Sequence, residues 1–357
     1  LAGGGLLSAC VSYSPAPLDA STILLQKQSA EIDPTAVRNE LARLAPAVDW
    51  DGHRLDSLTL LAAALTTSAE IAQARAAVVT AQADARVARK TQGPTLTLTS
   101  EYAFNASETS PWLFGFATDF TVDTGVRRSA RIEIAELNAR IALFDYMDTV
   151  WSVRQRIRRA LSQRLLAQQE IVVASELVKM RQQQLLAMEH RLAAGAASHV
   201  ELQRVRADIA ADQRSLSDAE ARAVAALSQL AAAIGVSRNA LDVPAFDWPE
   251  INTPVRLPDP LPAACLDQAL LARPDIARAS AAYDQAEAEL HSAIATQYPS
   301  LHTGTGYAWE RGLKKLPFSL AMSLPPLDLN HAAIDAAEAR RGEIGRRLEA
   351  TVFMASS

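Results

Sequence analysis

The chain has 357 residues, enough for about two or three ordinary domains or for one elongated architecture. Its net charge of −5, from 35 basic and 40 acidic residues, leaves no basic footprint, so nucleic acid is not expected as a partner. No run of about 18 uninterrupted apolar residues occurs, so a transmembrane helix is excluded, and a membrane role would need a β-barrel or a lipid anchor.

The first ten residues read LAGGGLLSAC. Small and apolar residues closing on Leu7-Ser8-Ala9-Cys10 resemble the lipobox that ends a bacterial lipoprotein signal peptide, in which the thiol is acylated. An ordinary secretory remnant or a coincidental cysteine is the alternative. Val11, rather than Asp, follows the cysteine, which by resemblance to that class favours the outer membrane. One acyl chain binds membranes only moderately, so a second mode of attachment is expected. Residue 1 is Leu, so the start of the gene product is expected to be missing. Residues 11–52 read as an extended leader broken by Pro15, Pro17, Pro34 and Pro46, with one short helix near 35–44.

Residues 53–234 form a first repeat. From His53 to Gln92 there is neither Gly nor Pro, the run AEIAQARAAVVTAQADARVARK is helical by composition and period, and Pro94 ends it. The period then changes to two. Over 95–104, Leu96, Leu98, Tyr102 and Phe104 share one face, and Thr95, Thr97, Thr99 and Glu101 the other. Over 112–122, Trp112, Phe114, Phe116, Phe120 and Val122 alternate with small or polar residues, completing an antiparallel hairpin. Val126 to Ala194 again lacks Gly and Pro, as does Ala196 to Ile234. Two long helices therefore form an antiparallel hairpin with its tip near Gly195. Residues 235–262 are a Pro-rich linker.

Residues 263–357 repeat the programme. Ile71–Tyr102 and Ile276–Tyr307, 205 positions apart, are identical at 13 of 32 positions without a gap. Eight of these are Ile or Ala and carry little weight, but the Thr, Gln, Pro, Leu and Tyr at the helix-strand junction carry more. Strands are expected over 300–309 and 317–324. Leu301, Tyr307 and Trp309 lie opposite Ser300, His302, Gly304 and Gly306, and Phe318, Leu320, Met322 and Leu324 opposite Ser319, Ala321 and Ser323. A helix starts after PPLDLN, and this copy ends at Ser357, about 27 residues into it, so an incomplete copy is expected.

Each unit is thus helix, strand, strand, helix. An ordinary sheet capped by a helix is the simpler interpretation of the alternation. Against it, aromatics lie near the strand ends, as in the girdles of transmembrane barrels, and the opposite faces suit a water-filled lumen. Four strands cannot close such a barrel, so several chains must share it. The six histidines are scattered and the two cysteines, Cys10 and Cys265, are far apart, so no metal site is expected. Cys265 reads as a small buried residue. His190 and His199 flank the tip without a third ligand, and His302 sits on the small-residue strand face. No nucleophile–base pair, phosphate loop or catalytic carboxylate pair emerges, so the chain is not expected to be an enzyme.

The lipobox, the EIAQARA…P and DIARASA…QYPSL junctions, GYAW, LPPLDLNHAAIDAAEARR and RLAAGAASHVELQRVRA occur in order from Cys10 to about Ala350. As an ordered, duplicated set they resemble the TolC-like outer membrane efflux proteins, particularly the lipidated outer membrane factors of resistance-nodulation-division (RND) type tripartite pumps. The resemblance implies a mainly α fold with a small β part. In it, long helical hairpins build an α-barrel, and four antiparallel transmembrane strands per chain join a twelve-stranded β-barrel in a homotrimer. It implies a passive duct for drugs, metals or other small solutes, lying in the outer membrane and extending into the periplasm. The expected partners are a periplasmic adaptor, an inner-membrane RND-type transporter and outer membrane lipid. No cofactor is implied beyond a covalent lipid on Cys10. Tyr102, Trp112, Phe114, Phe116, Tyr307 and Trp309 would form the lipid-facing girdle. Arg191, Gly195, Ser198, Val200 and Leu202 would lie at the adaptor-docking tip. Local geometry alone also accounts for three tip residues, since Gly195 suits the turn and Ser198 with Glu201 makes a capping box. The resemblance further implies a second hairpin and tip beyond the present C-terminus. The rival reading is a soluble periplasmic coiled-coil lipoprotein acting as adaptor or scaffold, although lipoyl-like and small β-barrel segments are not seen.

Overall fold

The computed structural model describes residues 13–48, 50–91, 93–102, 104, 111–122, 125–241, 245–252, 263–310 and 312–356. In chain order the elements are α1 (Ala20–Gln28), α2 (Pro34–Leu44), β1 (Arg54–Leu55), α3 (Ser57–Thr67), α4 (Ala69–Ala88), β2 (Thr95–Tyr102), β3 (Trp112–Val122), α5 (Gly125–Ala193) and α6 (His199–Ile234). There follow β4 (Ala245–Phe246), α7 (Pro249–Asn252), α8 (Ala263–Leu271), α9 (Pro274–Ala295), β5 (Ser300–Glu310), β6 (Leu313–Lys315), β7 (Phe318–Ser323) and α10 (His331–Ser356). Two compact units result, Leu1–Ala72 with Ser152–Pro254, and Gln73–Trp151 with Val255–Ser357. Among the described residues no helix is long and apolar enough to cross a membrane.

In the first unit the stretch read as extended leader contains a second helix, α1. Its apolar Ile23, Leu24 and Leu25 are consecutive rather than spaced at helical intervals, and no residue of it is buried. Asp19 makes the helix start, accepting from the Thr22 N–H at 3.0 Å and from the Ser21 N–H at 3.4 Å. Hydrogen bonds from Ser21 and Thr22 hold the Asp19 carboxyl down at about 2. Helix α2 starts with Asp33 as cap and Pro34 in its first turn, and buries Val37 and Leu41. The Gly- and Pro-free run after His53 does not form one helix. Asp56 starts α3, and Ser68, extended at ψ 121° and buried, ends it.

Strand β1 pairs in parallel with β4, Arg54 opposite Ala245 and Leu55 opposite Phe246. The start of the Pro-rich segment therefore folds back onto the unit. Trp248 is buried there, with the Arg158 guanidinium 5.0 Å from its ring centre. Val153, Ile157 and Leu161 of α5 and Leu230 and Ile234 of α6 are fully buried in this unit, as are Leu41, Leu55 and Leu60. Along the α5–α6 hairpin, Arg222 meets Glu170 at 2.7 Å, Arg181 meets Asp212 at 3.2 Å, and Arg206 meets Glu189 at 3.3 Å. Partner numbers fall on one helix as they rise on the other, as an antiparallel pair requires. Exposed pairs of this kind contribute about 0–1 kcal/mol each, so the buried stripe holds the hairpin and the charges favour its register.

The second unit contains both helix-strand junctions of the duplication and all the long strands. Pro274 lies 205 residues after Ala69, and Ser300 lies 205 after Thr95, so the helix starts and the strand starts keep the sequence offset. The strand order is β2-β3-β5, with β6 and β7 both on the far edge of β5 and every pairing antiparallel. The return strand thus begins earlier than its alternation indicates, and it is interrupted at Leu316 and Pro317. Pro317 has no N–H for the ladder, yet its carbonyl accepts from the Gly306 N–H at 3.0 Å.

Helix α5 begins with Arg127, Arg128 and Arg131, which satisfy carbonyls at the ends of the two helices that run into strands, α4 and α9. At the end of α4, Arg128 donates to Arg89 O at 2.9 Å and Arg131 to Ala88 O at 3.4 Å. Arg127 donates to Ala295 O at 3.1 Å, to Thr296 O at 3.2 Å and to Tyr298 O, at the end of α9. Asn330 adds a bond to Ala293 O at 3.0 Å. Helix C-termini leave up to four carbonyls without partners, and a cation there also complements the helix dipole.

Two glycines with positive φ end long helices but differ in surroundings. A Cβ on Gly235, at φ +87°, would lie 2.9 Å from Thr67 O and 3.0 Å from Ser68 Cα. On Gly195, at φ +74°, it would meet nothing within 4 Å. Gly235→Ala is expected to destabilise by about 2–3 kcal/mol through strain plus collision, and Gly195→Ala by about 1 kcal/mol through strain alone. Denaturant melts of the two variants check the order.

Candidate functional site: a two-faced sheet and a hairpin tip

Register places the alternating residues of all long strands on two continuous faces. Tyr102 lies opposite Trp112, Phe114 opposite Trp309, Phe116 opposite Tyr307, and Leu301 opposite Met322. All six sequence-derived girdle residues, Tyr102, Trp112, Phe114, Phe116, Tyr307 and Trp309, therefore share one face. Their rings form a ladder. Tyr102 and Trp112 meet edge-on at 4.8 Å, Trp112 stacks on Phe114 at 5.4 Å, Phe114 on Trp309 at 6.3 Å, and Phe116 on Tyr307 at 6.3 Å. Phe104 lies past the end of β2 and meets Tyr102 edge-on at 5.1 Å.

The same face continues through Phe318, Leu320 and Met322, and it is open to its surroundings. Leu98 is 76% exposed and Phe318 is 73% exposed. Below Leu301 and Met322 it runs into a cleft of about 630 Å³ lined by Val126, Ile294, Ala295, Tyr298 and Pro299. An apolar surface of this extent is a binding surface for lipid or protein rather than a solvated one.

The other face carries Thr97, Thr99, Gly115, Ala117, Thr121, Gly304, Gly306, Ala308 and Ser319. It is crowded. A Cβ on Gly306 would collide with Phe116 O and lie 3.2 Å from Ala117 Cβ, and one on Gly304 would collide with Ser319 Oγ and lie 3.1 Å from Thr118 O. Directly opposite Cβ atoms in a sheet are ordinarily about 4.5–5.5 Å apart, so the sheet curls towards its small-residue side. This role of the glycines went unrecognised in the sequence, although the G-x-G spacing of HTGTGYAW carries the signal.

At the tip, α5 ends in a Schellman turn. Gly195 N–H donates to Leu192 O at 2.9 Å and Ala196 N–H to Arg191 O at 2.8 Å. The Arg191 guanidinium donates back to Ala196 O at 3.3 Å. Ser198 then caps α6. The Glu201 N–H donates to Ser198 Oγ at 3.2 Å, while Glu201 Oε2 accepts from the Ser198 N–H at 2.7 Å. The Ser198 donors, and less strongly the charge of Arg191, hold the Glu201 carboxyl below its ordinary value of 4.5. Val200 is 79% exposed, whereas Leu202 is 5% exposed. Leu202 therefore packs within the hairpin, and Val200 is the apolar side chain that the tip presents.

Cys10 lies outside the described residues. Cys265, expected to be buried, is exposed on α8. Among the described residues no group of three or more His, Cys, Asp or Glu side chains could hold a metal ion.

The sequence profile of the family described as "Outer membrane efflux protein" matches residues 60–236. Solved structures of similar fold include CusC, at TM-score 0.71 and 20% identity over 83% of this chain and 72% of that one. The outer-membrane channel OprN matches at TM-score 0.71 and 19% identity over 84% and 71%. VceC, an outer membrane protein of Vibrio cholerae, matches at TM-score 0.65 and 19% identity over 84% and 75%. No curated protein sequence matches the chain significantly.

Ser198→Ala is expected to destabilise the start of α6 by roughly 1 kcal/mol. It should also flatten the acid limb of local stability. The Glu201 value is depressed by folding, so its contribution is full above the ordinary 4.5 and is lost as pH falls through the lower folded value. Amide exchange at residues 198–204, followed against pH in both proteins, measures the difference.

Proposed function

We propose, from the match of residues 60–236 to the outer membrane efflux protein family, that this chain is a member of it and a subunit of the outer membrane channel of a tripartite efflux system. Its task is to conduct small solutes passively across the outer membrane and periplasm. The observation that carries this reading is the two-faced sheet, with an exposed apolar and aromatic face and a small or hydroxylated face on which β3 and β5 approach closely at Gly304 and Gly306. The apolar face suits lipid hydrocarbon, with the aromatic ladder at the far strand ends as an interfacial girdle. The concave face suits a water-filled lumen.

One chain supplies one segment of such a wall. The outer edges of β2 and of β6 and β7 lack strand partners among the described residues, and lipid does not tolerate open edges. Pairing of these edges between three copies supplies a twelve-stranded barrel, and the long helices of each copy continue as an α-barrel. The hairpin tip, with Val200 exposed beside the Arg191-clamped turn, is the surface offered to a periplasmic adaptor, through which an RND-type transporter is engaged. Lipidation of Cys10 would add an anchor at the same membrane. A soluble coiled-coil scaffold fits less well, because it would leave the whole aromatic face in water.

The chain expressed with its natural leader is expected in outer membrane fractions as a detergent-resistant trimer; a water-soluble monomer after removal of lipid would overturn the reading. Gly306→Val, which puts methyl groups against Phe116 O, should abolish trimer formation while leaving helix content unchanged. Val200→Glu should leave the trimer intact and reduce efflux-dependent resistance at least about tenfold, as expected when a charge is buried unpaired at an interface. Resistance equal to wild type would remove Val200 from the docking surface.

A further inference from the structure

On the concave face, one polar cluster spans three strands. His302 of β5 has its Nδ1 3.3 Å from Thr121 Oγ1 and 3.8 Å from Asp119 Oδ2, both on β3. Its Nε2 lies 3.2 Å from Ser323 Oγ of β7 and 3.5 Å from Ser300 Oγ. The ring is therefore fixed by neighbours on both sides and is part of the wall rather than a free side chain.

The charged groups that face it are few. On β3 the only one is Asp119, whose register partners are Thr95 on β2 and Gly304 on β5. On β7 the facing residues are Ser319, Ala321 and Ser323, and on β5 itself Ser300 and Gly304, none of them charged. The remaining charges of this face, Glu101 on β2, Glu310 on β5 and Lys315 on β6, stand at the opposite end of the strands, and Lys315 is paired with Glu310. At the helix-proximal end, Asp119 and His302 thus set the charge of the wall among the described residues.

We propose that Asp119 and His302 form a proton-controlled selectivity element of the duct, favouring cationic over anionic solutes while the imidazole is neutral and losing that preference when it is protonated. The proposal rests on the reading that the concave face lines the lumen. With a neutral ring, the Asp119 carboxylate is an uncompensated negative charge on an otherwise hydroxylated and glycine-rich surface. Protonation places a positive charge beside it and cancels the local field. Histidine is the side chain whose charge ordinarily changes between about pH 5 and 8, which sets the range for the test. Screening over about 10 Å at 0.1 M salt confines the effect to solutes that pass near the wall, so a modest change in preference is expected rather than exclusion.

The full chain reconstituted in planar bilayers allows the cation-to-anion permeability ratio to be read from the reversal potential in a KCl gradient. At about 0.1 M salt the wild-type ratio should fall on the order of twofold between about pH 8 and about pH 5. His302→Gln, which keeps hydrogen-bonding capacity without the proton charge, should hold the high ratio at both pH values. His302→Lys should hold the low ratio at both, and Asp119→Asn should lower the ratio at the higher pH. A His302→Gln channel that still follows the wild-type pH dependence overturns the proposal, as does a ratio indifferent to all three substitutions. If the wild-type chain shows no conductance, the duct reading itself fails, and the selectivity element with it.

Discussion

The architecture depends on how the two helices that precede strands are terminated. Each of α4 and α9 must stop, leave carbonyl groups without intrahelical partners, and turn within a few residues into an extended strand. Three arginines in the first two turns of α5 meet this need for both copies at once. Arg128 and Arg131 bind the end of α4, and Arg127 binds the end of α9. Because β3 leads directly into α5, this arrangement sets β3 between β2 and β5, which is the order found in the sheet. The second copy has no matching arginines after its return strand, and Asn330, in the left-handed region at φ 62°, reaches the α9 carbonyls instead. The duplication is therefore close in topology and unequal in the chemistry of its joints.

From that order follow the two faces. Once β3 is flanked by β2 and β5, the period-two alternation of each strand adds up across the sheet rather than cancelling. Rings from three strands come into contact, and on the opposite side Gly115 of β3 faces Ala308 while Gly306 of β5 faces Ala117. Curvature is a consequence of that second set. Where Cβ atoms are absent, backbones approach and the sheet bends, and most side chains that remain on the concave face are small or hydroxylated, Asp119 and His302 being exceptions at its helix-proximal end. A channel wall and an ordinary half-buried sheet use the same alternation. They differ in whether the apolar face is covered, and here it is exposed.

Much of this was legible in the residues. Pro94 and Pro299 marked the helix-strand junctions, and the change from helical spacing to strict alternation after each marked the strands. The repeat at an offset of 205 predicted two equivalent hairpins. Gly195, Ser198 and Glu201 indicated the turn and its cap, because capping depends on contacts within four residues. Helix α1 was missed, since its start rests on Asp19 and its apolar residues are not spaced at helical intervals. The early start of the return strand was missed because Leu313–Lys315 carries two charges and is followed by Leu316-Pro317.

The sequence by itself determined what depends on near neighbours: helix and strand periods, caps, turns, the duplication, and the division of each strand into an apolar and a small-residue side. Those properties follow from side-chain chemistry repeated at short spacing. Only the tertiary structure decided which residues meet across long separations. It turned Leu202 inward and Val200 outward at the hairpin tip, folded Trp248 back under Arg158, joined Arg127 to the end of α9, and set His302 between Thr121 and Ser323. Such pairings are fixed by strand register and helix packing, which are properties of the whole chain and leave no periodic trace in any one segment.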